Sequence, residues 1–306
     1  MKARELAQGK WPSILERLGV PAESLTGKHG PCPKDGSGTD RFRFADRDGS
    51  GSYFCACSEG DKGGMALLMC CRGWDYATAA KEVEAIVGTA EPRPTQTHGN
   101  RDPVKALKAI QARLMAPGDA VQTYLANRGL SAPSSLRQAR MPFWKDGNKV
   151  GEFDAMVARV VGADGKPLTF HVTYLHNGKK APVVPPRKLM TPVAPINGGA
   201  IRLMPPDEDL GVAEGIETAL SASAIYKIPV WACISEALLA AFEPPPAAKR
   251  LWIFADHDRN HVGQHAAYAL ARRLSKSGRE CEVFVPRIAG QDFNDVWLEQ
   301  RQGLAA

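Results

Sequence analysis

A chain of 306 residues, 44% hydrophobic and 24% charged, is long enough for two or three folded domains and has an ordinary soluble composition. No apolar run approaches the length of a bilayer span, and the opening MKARELAQGKWPSILERLGV is charged and amphipathic rather than a secretion signal, so the expected location is cytoplasmic. A net charge of +6 permits a polyanionic partner, and the seven cysteines, with Cys55 close to Cys57 and Cys70 beside Cys71, favour metal over disulfide in a reducing compartment.

Past the amphipathic opening, KHGPCPKDGSGTDRFRFADRDGSGSYFCACSEGDKGG offers His29, Cys32, Cys55 and Cys57. DRFRF and GSYFC alternate like two strands, and DRDGSGS between them has the composition of a hairpin turn. Such a hairpin returns Cys55 and Cys57 beside Cys32, and a tetrahedral zinc site takes four nitrogen or sulfur ligands from two loops. Phe42 and Phe44 read as the buried face of the hairpin. Cys70 and Cys71 follow MALLM in a helical pattern and read as core. GWDYATAAKEVEAIVG reads as a closing helix capped by Asp75 and stopped at Gly88, with Trp74 in the core.

Residues 28–66 resemble the zinc ribbon of phage-type primases, whose pattern runs roughly HGPCPxCGGxDRF and then WFCxxCGxGD. Two departures stand out: Asp35 replaces the second cysteine of the first pair, and the second pair is shortened to CxC. The fourth zinc ligand is therefore either His29, the better ligand for a sulfur-rich site, or Asp35, which holds the family position. A degenerate ribbon without metal is the remaining reading, although a module with so little core would struggle to fold without one. In this setting Arg41 and Arg43 are available for template phosphates.

TAEPRPTQTHGNRD, residues 89–102, mixes proline, threonine and glycine without periodicity and marks a linker over residues 89–104. It follows a module over residues 1–88 and precedes a mixed α+β segment over residues 105–200. There AVQTYLANRGLS suggests a helix, and FDAMVARVVGADGKPLTFHVTYL two strands around an ADGKP turn. His171, inside the second strand, and His176, at its end, read as hydrogen-bonded structure. KKAPVVPPRKLMTPVAPINGG, residues 179–199, is too rich in proline for a central strand and is expected to be an ordered loop.

From residue 201 to about 300 the pattern becomes regular. LGVAE, PVWAC, RLWIFAD and ECEVFVP are short apolar strands, and GIETALSASAIYK, SEALLAAF and HVGQHAAYALARRLSKSG are the helices between them, with Ser235 as a cap and Gly278 as a stop. This alternation implies an α/β fold, a parallel sheet covered by helices. Cys233 and Cys281 fall in its apolar runs and read as core. Ligands of such sheets bind beyond the carboxyl ends of the strands. Glu214 closes the first strand, Asp256 the third, and Asp292 and Asp295 of GQDFND follow the fourth. Asp256 and Asp258, two residues apart, project the same way about 7 Å apart in extended chain, an arrangement suited to a hard cation held through oxygen. Magnesium fits, because it keeps several waters and takes one or two carboxylates plus phosphate oxygens. Glu217, one helical turn further on, faces either this pocket or solvent.

VAEGIETAL and FADHDRNHVG resemble the Glu-Gly and DxD motifs of the Toprim fold shared by primases, topoisomerases and some nucleases, and the wording is nearest to phage and plasmid primases. The resemblance implies a Toprim-like (Rossmann-like) sheet in which Glu214 acts in general acid/base chemistry or metal positioning. Asp256 and Asp258 would hold Mg2+ (or Mn2+), with Asp292 and Asp295 completing the site. His257 enters only by its place between the two aspartates. The resemblance also makes residues 105–200 the basic part of the core, lined by Arg128, Lys180, Arg187, Lys188 and Arg202, with Lys179 beside them. The implied function is a DNA primase that joins ribonucleoside triphosphates on a single-stranded DNA template, with Zn2+ in the N-terminal module. No Walker-type motif follows, so any replicative helicase is expected as a separately encoded partner. A Toprim nuclease and a non-catalytic nucleic-acid-binding protein are the alternatives. A topoisomerase would need a further domain with a nucleophilic tyrosine.

Overall fold

The computed structural model describes residues 2–46, 48–55, 63–92, 102–145 and 148–305. Its contacts divide the chain into two compact units, residues 1–101 and 102–306. Cys57, the first three residues of GDKGG and residues 93–101 of the expected linker lie outside the described residues.

In the first unit, α1 (Lys2–Leu6) and α2 (Trp11–Arg17) precede an antiparallel sheet ordered β1 (His29–Gly30), β2 (Phe42–Phe44), β3 (Tyr53–Cys55); α3 (Gly64–Arg72) and α4 (Tyr76–Val87) follow. Alternation along β2 sends Phe42 and Phe44 into the core, as expected of a half-buried strand. They meet Trp11, Ile14, Leu15, Leu67 and Leu68 there. At the start of α3 only glycine fits, because a Cβ on Gly64 would lie 2.1 Å from the Trp11 ring. Asp75 caps α4 by accepting the Thr78 N–H at 2.8 Å. Trp74 is only partly buried against this core, and Cys70 and Cys71 are half-buried on α3.

The second unit begins with α5 (Pro103–Gln111) and α6 (Asp119–Ala126). The strands β4 (Arg137–Lys145), β5 (Asn148–Val161), β6 (Pro167–His176), β7 (Lys179–Lys180), β8 (Arg187–Leu189) and β9 (Ala200–Ile201) come next. The regular part then runs β10 (Asp209–Ala213), α7 (Ile216–Tyr226), β11 (Val230–Ala232), α8 (Glu236–Ala240), β12 (Arg250–Phe254), α9 (Val262–Lys276), β13 (Glu280–Phe284), α10 (Phe293–Ala305). Each of the four expected parallel strands forms, and Ser235 accepts the Leu238 N–H at 3.3 Å as the cap of α8.

All ten strands of this unit belong to one sheet, ordered β13-β12-β10-β11-β9-β5-β6-β7, with β4 on β5 and β8 on β6. The sheet runs continuously across residues 200 and 201, since β9 pairs with both β5 and β11. One core follows it: Tyr124, Met156 and Val160 pack with Ala213, Ile216, Leu220, Phe254 and Phe293 on the face covered by α7. On the opposite face Leu210, Val212, Leu251 and Ile253 meet Leu238 and Leu239 of α8 and Leu270 and Leu274 of α9. Each such side chain contributes about 1.5–3 kcal/mol when fully buried. The strand β4 was not legible because Pro142 interrupts it. Its ladder partner is β5, and on its other side the described pairing is a single bridge from Gln138 to Met115, four residues before Pro142, so the proline falls where no strand pairs with that edge among the described residues. Within the proline-rich stretch, β7 and β8 are brief pairings on β6, and the rest is irregular.

The strand order fixes where a ligand belongs. β10 lies between β11 and β12 and runs parallel to both, so the chain leaves it first to one side and then to the other. Such a switch point opens a crevice at the carboxyl ends of the strands.

Candidate active site

Glu214 follows β10 at that crevice. The register pairs Ala213 with Phe254, which sets Glu214 one step from Asp256 on the neighbouring strand. Both carboxyls are half-buried. Burial, then the charges of Glu236 and Asp256, pushes Glu214 up to about 7. Burial and the charge of Asp292 push Asp256 up to about 6, partly offset by a hydrogen bond from the Thr218 hydroxyl at 3.3 Å. Asp258 stands at the start of α9, where its Oδ2 accepts the Gly263 N–H at 3.2 Å. His257 turns its Nδ1 to the Pro286 carbonyl at 2.8 Å.

The GQDFND acids form a reciprocal cap on α10. Asp292 Oδ1 accepts the N–H groups of Asn294 and Asp295 at 2.7 and 3.0 Å, and Asp295 Oδ2 accepts the Asp292 N–H at 3.0 Å. Asp292 is half-buried, raised by burial and by Asp295, and within electrostatic reach of Asp256. Asp295 is exposed and engaged in the cap. Of these two, Asp292 is therefore the one that the fold brings to the acid edge.

Crowded, half-buried carboxylates without a matching number of cations raise one another's pKa, and a divalent cation relieves that repulsion. Glu214, Asp256 and Asp292 in this sense fit a metal, and Asp258, two residues from Asp256, adds a fourth carboxylate beside them. Among the described residues, no three acidic, histidine or cysteine side chains close around one point tightly enough to hold an ion alone. A cation held here by one or two of these carboxylates would keep water and share phosphate oxygens.

Cations flank the acids from the middle segment. Arg187 is exposed and acts electrostatically on Glu214, Asp256 and Glu217. Lys180 lies 3.3 Å from Glu217, which faces neither the acid pocket nor solvent directly: it also accepts the Tyr124 hydroxyl. Burial opposes ionisation of Glu217, yet Lys180 and Tyr124 hold it down at about 2. The other basic residues are used differently. Arg128 lies over the Tyr124 ring at 3.9 Å and donates to the Tyr124 carbonyl at 3.0 Å. Lys188 lies over the Phe143 ring at 3.8 Å and donates to the Trp144 carbonyl. Lys179 is exposed. Arg202 stacks on Trp231 at 4.8 Å and donates to the Gly162 carbonyl at 2.8 Å. Because β9 runs antiparallel to β11 with Ile201 beside Ala232, Arg202 continues away from the acid edge and acts as a packing residue.

In the first unit Cys32 and Cys55 are buried with their Sγ atoms 3.7 Å apart. Two thiolates at about 2.3 Å from a tetrahedral zinc would be about 3.8 Å apart, so this pair fits zinc. The side chain of Asp35 is hydrogen-bonded with Cys32 and accepts the Ser37 N–H at 2.9 Å. His29 instead pairs with Asp40 at 2.8 Å and is exposed. The structure thus brings Asp35, rather than His29, to the cysteines. Arg41 donates to the Ser37 hydroxyl at 3.0 Å and Arg43 to the Gly27 carbonyl at 3.0 Å.

Besides Thr218, three participants escaped the sequence reading. Glu236 is a further acid beyond a strand's carboxyl end, hidden because SEALL reads as a helix start. Tyr124 carries no motif and gains its partner Glu217 only through the fold. Asn294 is buried and donates to the Arg128 carbonyl and the Ser221 hydroxyl, both at 3.0 Å; its place in DFND was the available signal.

Family models match three segments: the zinc-binding domain of primase-helicase over residues 27–63, a domain of unknown function over 101–203, and the Toprim domain over 209–303. A zinc-ribbon primase domain is thus followed by a Toprim domain. Among solved structures, the chain is similar to the primase fragment of the bacteriophage T7 primase-helicase, at 16% identity over 90% of this chain and 96% of that one, with a TM-score of 0.40. The Aquifex aeolicus primase, comprising zinc-binding and RNA polymerase domains, matches at 14% identity over 98% and 84%, TM-score 0.43. A DNA primase domain from Pseudomonas aeruginosa matches at 14% over 66% and 77%, TM-score 0.43.

Proposed function

We propose that this protein is a DNA primase that synthesises short RNA primers from ribonucleoside triphosphates on single-stranded DNA. The observation that carries the reading is the acid edge at the switch point of the second unit, with Glu214 and Asp256 half-buried beyond the ends of adjacent parallel strands and Arg187 within electrostatic reach of both. The primase-type zinc segment in the same chain favours a primase over a nuclease with similar acids.

In nucleotidyl transfer the 3′-hydroxyl oxygen of one nucleotide bonds to the α-phosphorus of the next. The bond to the β-phosphate oxygen breaks, pyrophosphate leaves, and the hydroxyl gives up its proton. Asp256 and Asp258, with Asp292 beside them, would hold Mg2+ (or Mn2+), which supplies charge neutralisation at the phosphates and lowers the pKa of the attacking hydroxyl. Glu214 orients the reacting groups from the adjacent strand and offers its carboxylate oxygen to the departing proton. Arg187 and Lys180 meet the triphosphate, which four carboxylates would otherwise repel. Cys32 and Cys55, together with Cys57 and Asp35, would hold Zn2+ in a module that supports the template, where Arg41 and Arg43 contact its phosphates.

The test is primer synthesis with labelled ribonucleotides on single-stranded DNA with Mg2+, comparing wild type, Asp256→Ala and Cys55→Ser. Short RNA products that vanish in Asp256→Ala support the reading. Degradation of the template that depends on Asp256 replaces it with a nuclease, and neither product nor degradation leaves a binding protein.

A further inference from the structure

Glu217 has a role that no motif assigns. It lies on α7 one turn beyond Glu214, and its side chain is only 13% exposed. A buried carboxylate is costly unless it is paired and hydrogen-bonded. Glu217 has both: the Tyr124 hydroxyl donates to it, and the Lys180 ammonium sits 3.3 Å away. Replacing such a pair by apolar residues is often neutral or stabilising, so its presence is weak as a device for stability alone.

The partners are themselves held. Lys180 follows a tight hairpin in which Asn177 and Gly178 have φ of 48° and 69°, the left-handed pair such a turn requires. The Gly178 carbonyl accepts the Asn127 side-chain amide at 3.1 Å, tying that hairpin to the end of α6. Tyr124, on α6, is fully buried under the Arg128 guanidinium. A lysine on a flexible four-carbon stem is a poorly localised point charge. Here its base is fixed by a turn and its tip by a carboxylate. Its ammonium forms an ion pair with Glu217 and stays partly exposed, which leaves donors for a ligand.

The location gives this a purpose. Glu217 Oε2 lies 3.7 Å from where a Cβ on Gly215, the neighbour of Glu214, would stand, and the adjoining Thr218 donates to Asp256 at 3.3 Å, so the pair borders the acid edge. We propose that Glu217 is a positioning residue that fixes the Lys180 ammonium beside the acids, where it clamps the triphosphate of the incoming nucleotide. The arrangement has the logic of a kinase Lys–Glu pair, in which the carboxylate sets the lysine against phosphate. This inference rests on the primase reading.

The deciding experiment is steady-state primer synthesis by the full chain at varied ribonucleotide concentration, with Glu217→Gln, Lys180→Met and the double variant. Gln keeps the shape of Glu217 and an acceptor for Tyr124 while removing the charge that holds Lys180. The expected result is a KM for nucleotide raised about tenfold in each single variant, kcat within about threefold of wild type, and a double variant no worse than Lys180→Met alone. Glu217→Asp, which keeps the charge on a shorter stem, should recover part of the KM. A merely structural tie would instead lower Tm and kcat and leave the two substitutions additive, and that result, or an unchanged KM in Glu217→Gln, overturns the proposal. If wild type makes no primer, the primase reading falls, and calorimetric binding of ATP with Mg2+ becomes the readout. Weaker binding by Glu217→Gln then sustains the positioning role, and equal binding overturns it.

Discussion

Cys32 and Cys55 meet 3.7 Å apart inside a small unit whose sheet has three short strands, whereas Glu214 and Asp256 stand at the rim of a ten-stranded sheet with cores on both faces. Both places crowd groups that suit a metal, but the surroundings differ. The cysteines are built into the hairpin they would stabilise: Cys55 ends β3, and Cys32 follows β1. The acids project from a scaffold that is already complete without them. Metal binding is therefore expected to be coupled to folding in the first unit and to chemistry in the second.

The largest effect that would break this comparison is zinc removal. Structural zinc in isolated finger peptides contributes roughly 10–16 kcal/mol at neutral pH, and the contribution here is smaller because Trp11, Ile14, Leu67 and Leu68 keep a core of their own. A strong chelator, or Cys32→Ser, is expected to abolish hydrogen-exchange protection in β2 and β3 while leaving the melting of the second unit in place. Absence of zinc in the purified protein, together with unchanged protection after chelation, would sink the folding role of the cysteine pair.

Next in size is Asp256→Asn. Activity should fall at least 10³-fold, about 4 kcal/mol of transition-state stabilisation. Stability should move the other way. The folded-state pKa of Asp256, about 6, lies above its usual carboxylate value, so the folded state binds the proton more tightly than the unfolded chain. That contribution is present at low pH and is lost as pH rises through about 6, leaving a penalty of at most about 3 kcal/mol at neutrality. Removing the charge removes the penalty. In metal-free buffer at pH 7 the variant should melt at or above wild type, and Mg2+ should raise the wild-type Tm more than the variant's. A variant that melts well below wild type would mean that the acid edge supports the fold, as the cysteines do.

The same contrast explains what could be read from the sequence. The second unit declared its strands through apolar runs with short joints, and its acids through their place at strand ends, because a parallel sheet imposes both patterns locally. In the first unit the hairpin was legible from the alternation of Phe42 and Phe44, but the partner of the cysteines was not. Asp35 reaches Cys32 through a tight loop, and His29 is drawn to Asp40; neither preference has a sequence period. The pairing of Glu217 with Tyr124 joins residues 93 positions apart and exists only because β9 carries one sheet from the middle segment into the last. Arg202 shows the converse: it is basic by composition, yet the antiparallel register of β9 turns it onto Trp231.

A smaller effect sharpens the comparison within the second unit itself. His171, on β6, was expected to be hydrogen-bonded, but among the described residues its buried Nδ1 has no partner, and burial pushes its pKa down to about 4. Glu217 opposes that shift, while Arg187 and Lys180 reinforce it. The sign is opposite to that of Asp256: the unfolded chain takes up the histidine proton near pH 6.5, before the folded state does. Stability from this group is therefore complete above about 6.5 and is lost as pH falls towards 4, to a total of about 3 kcal/mol. The acids at the edge gain as the pH falls through the same range, so the wild-type profile alone mixes two opposing slopes. Comparing wild type with His171→Phe by denaturant unfolding between pH 4 and 8 separates them. The difference should be flat above pH 7 and should narrow in the variant's favour below about 6.5. Parallel curves throughout would mean that His171 binds its proton equally well in the folded and the unfolded chain, and that burial does not lower its pKa.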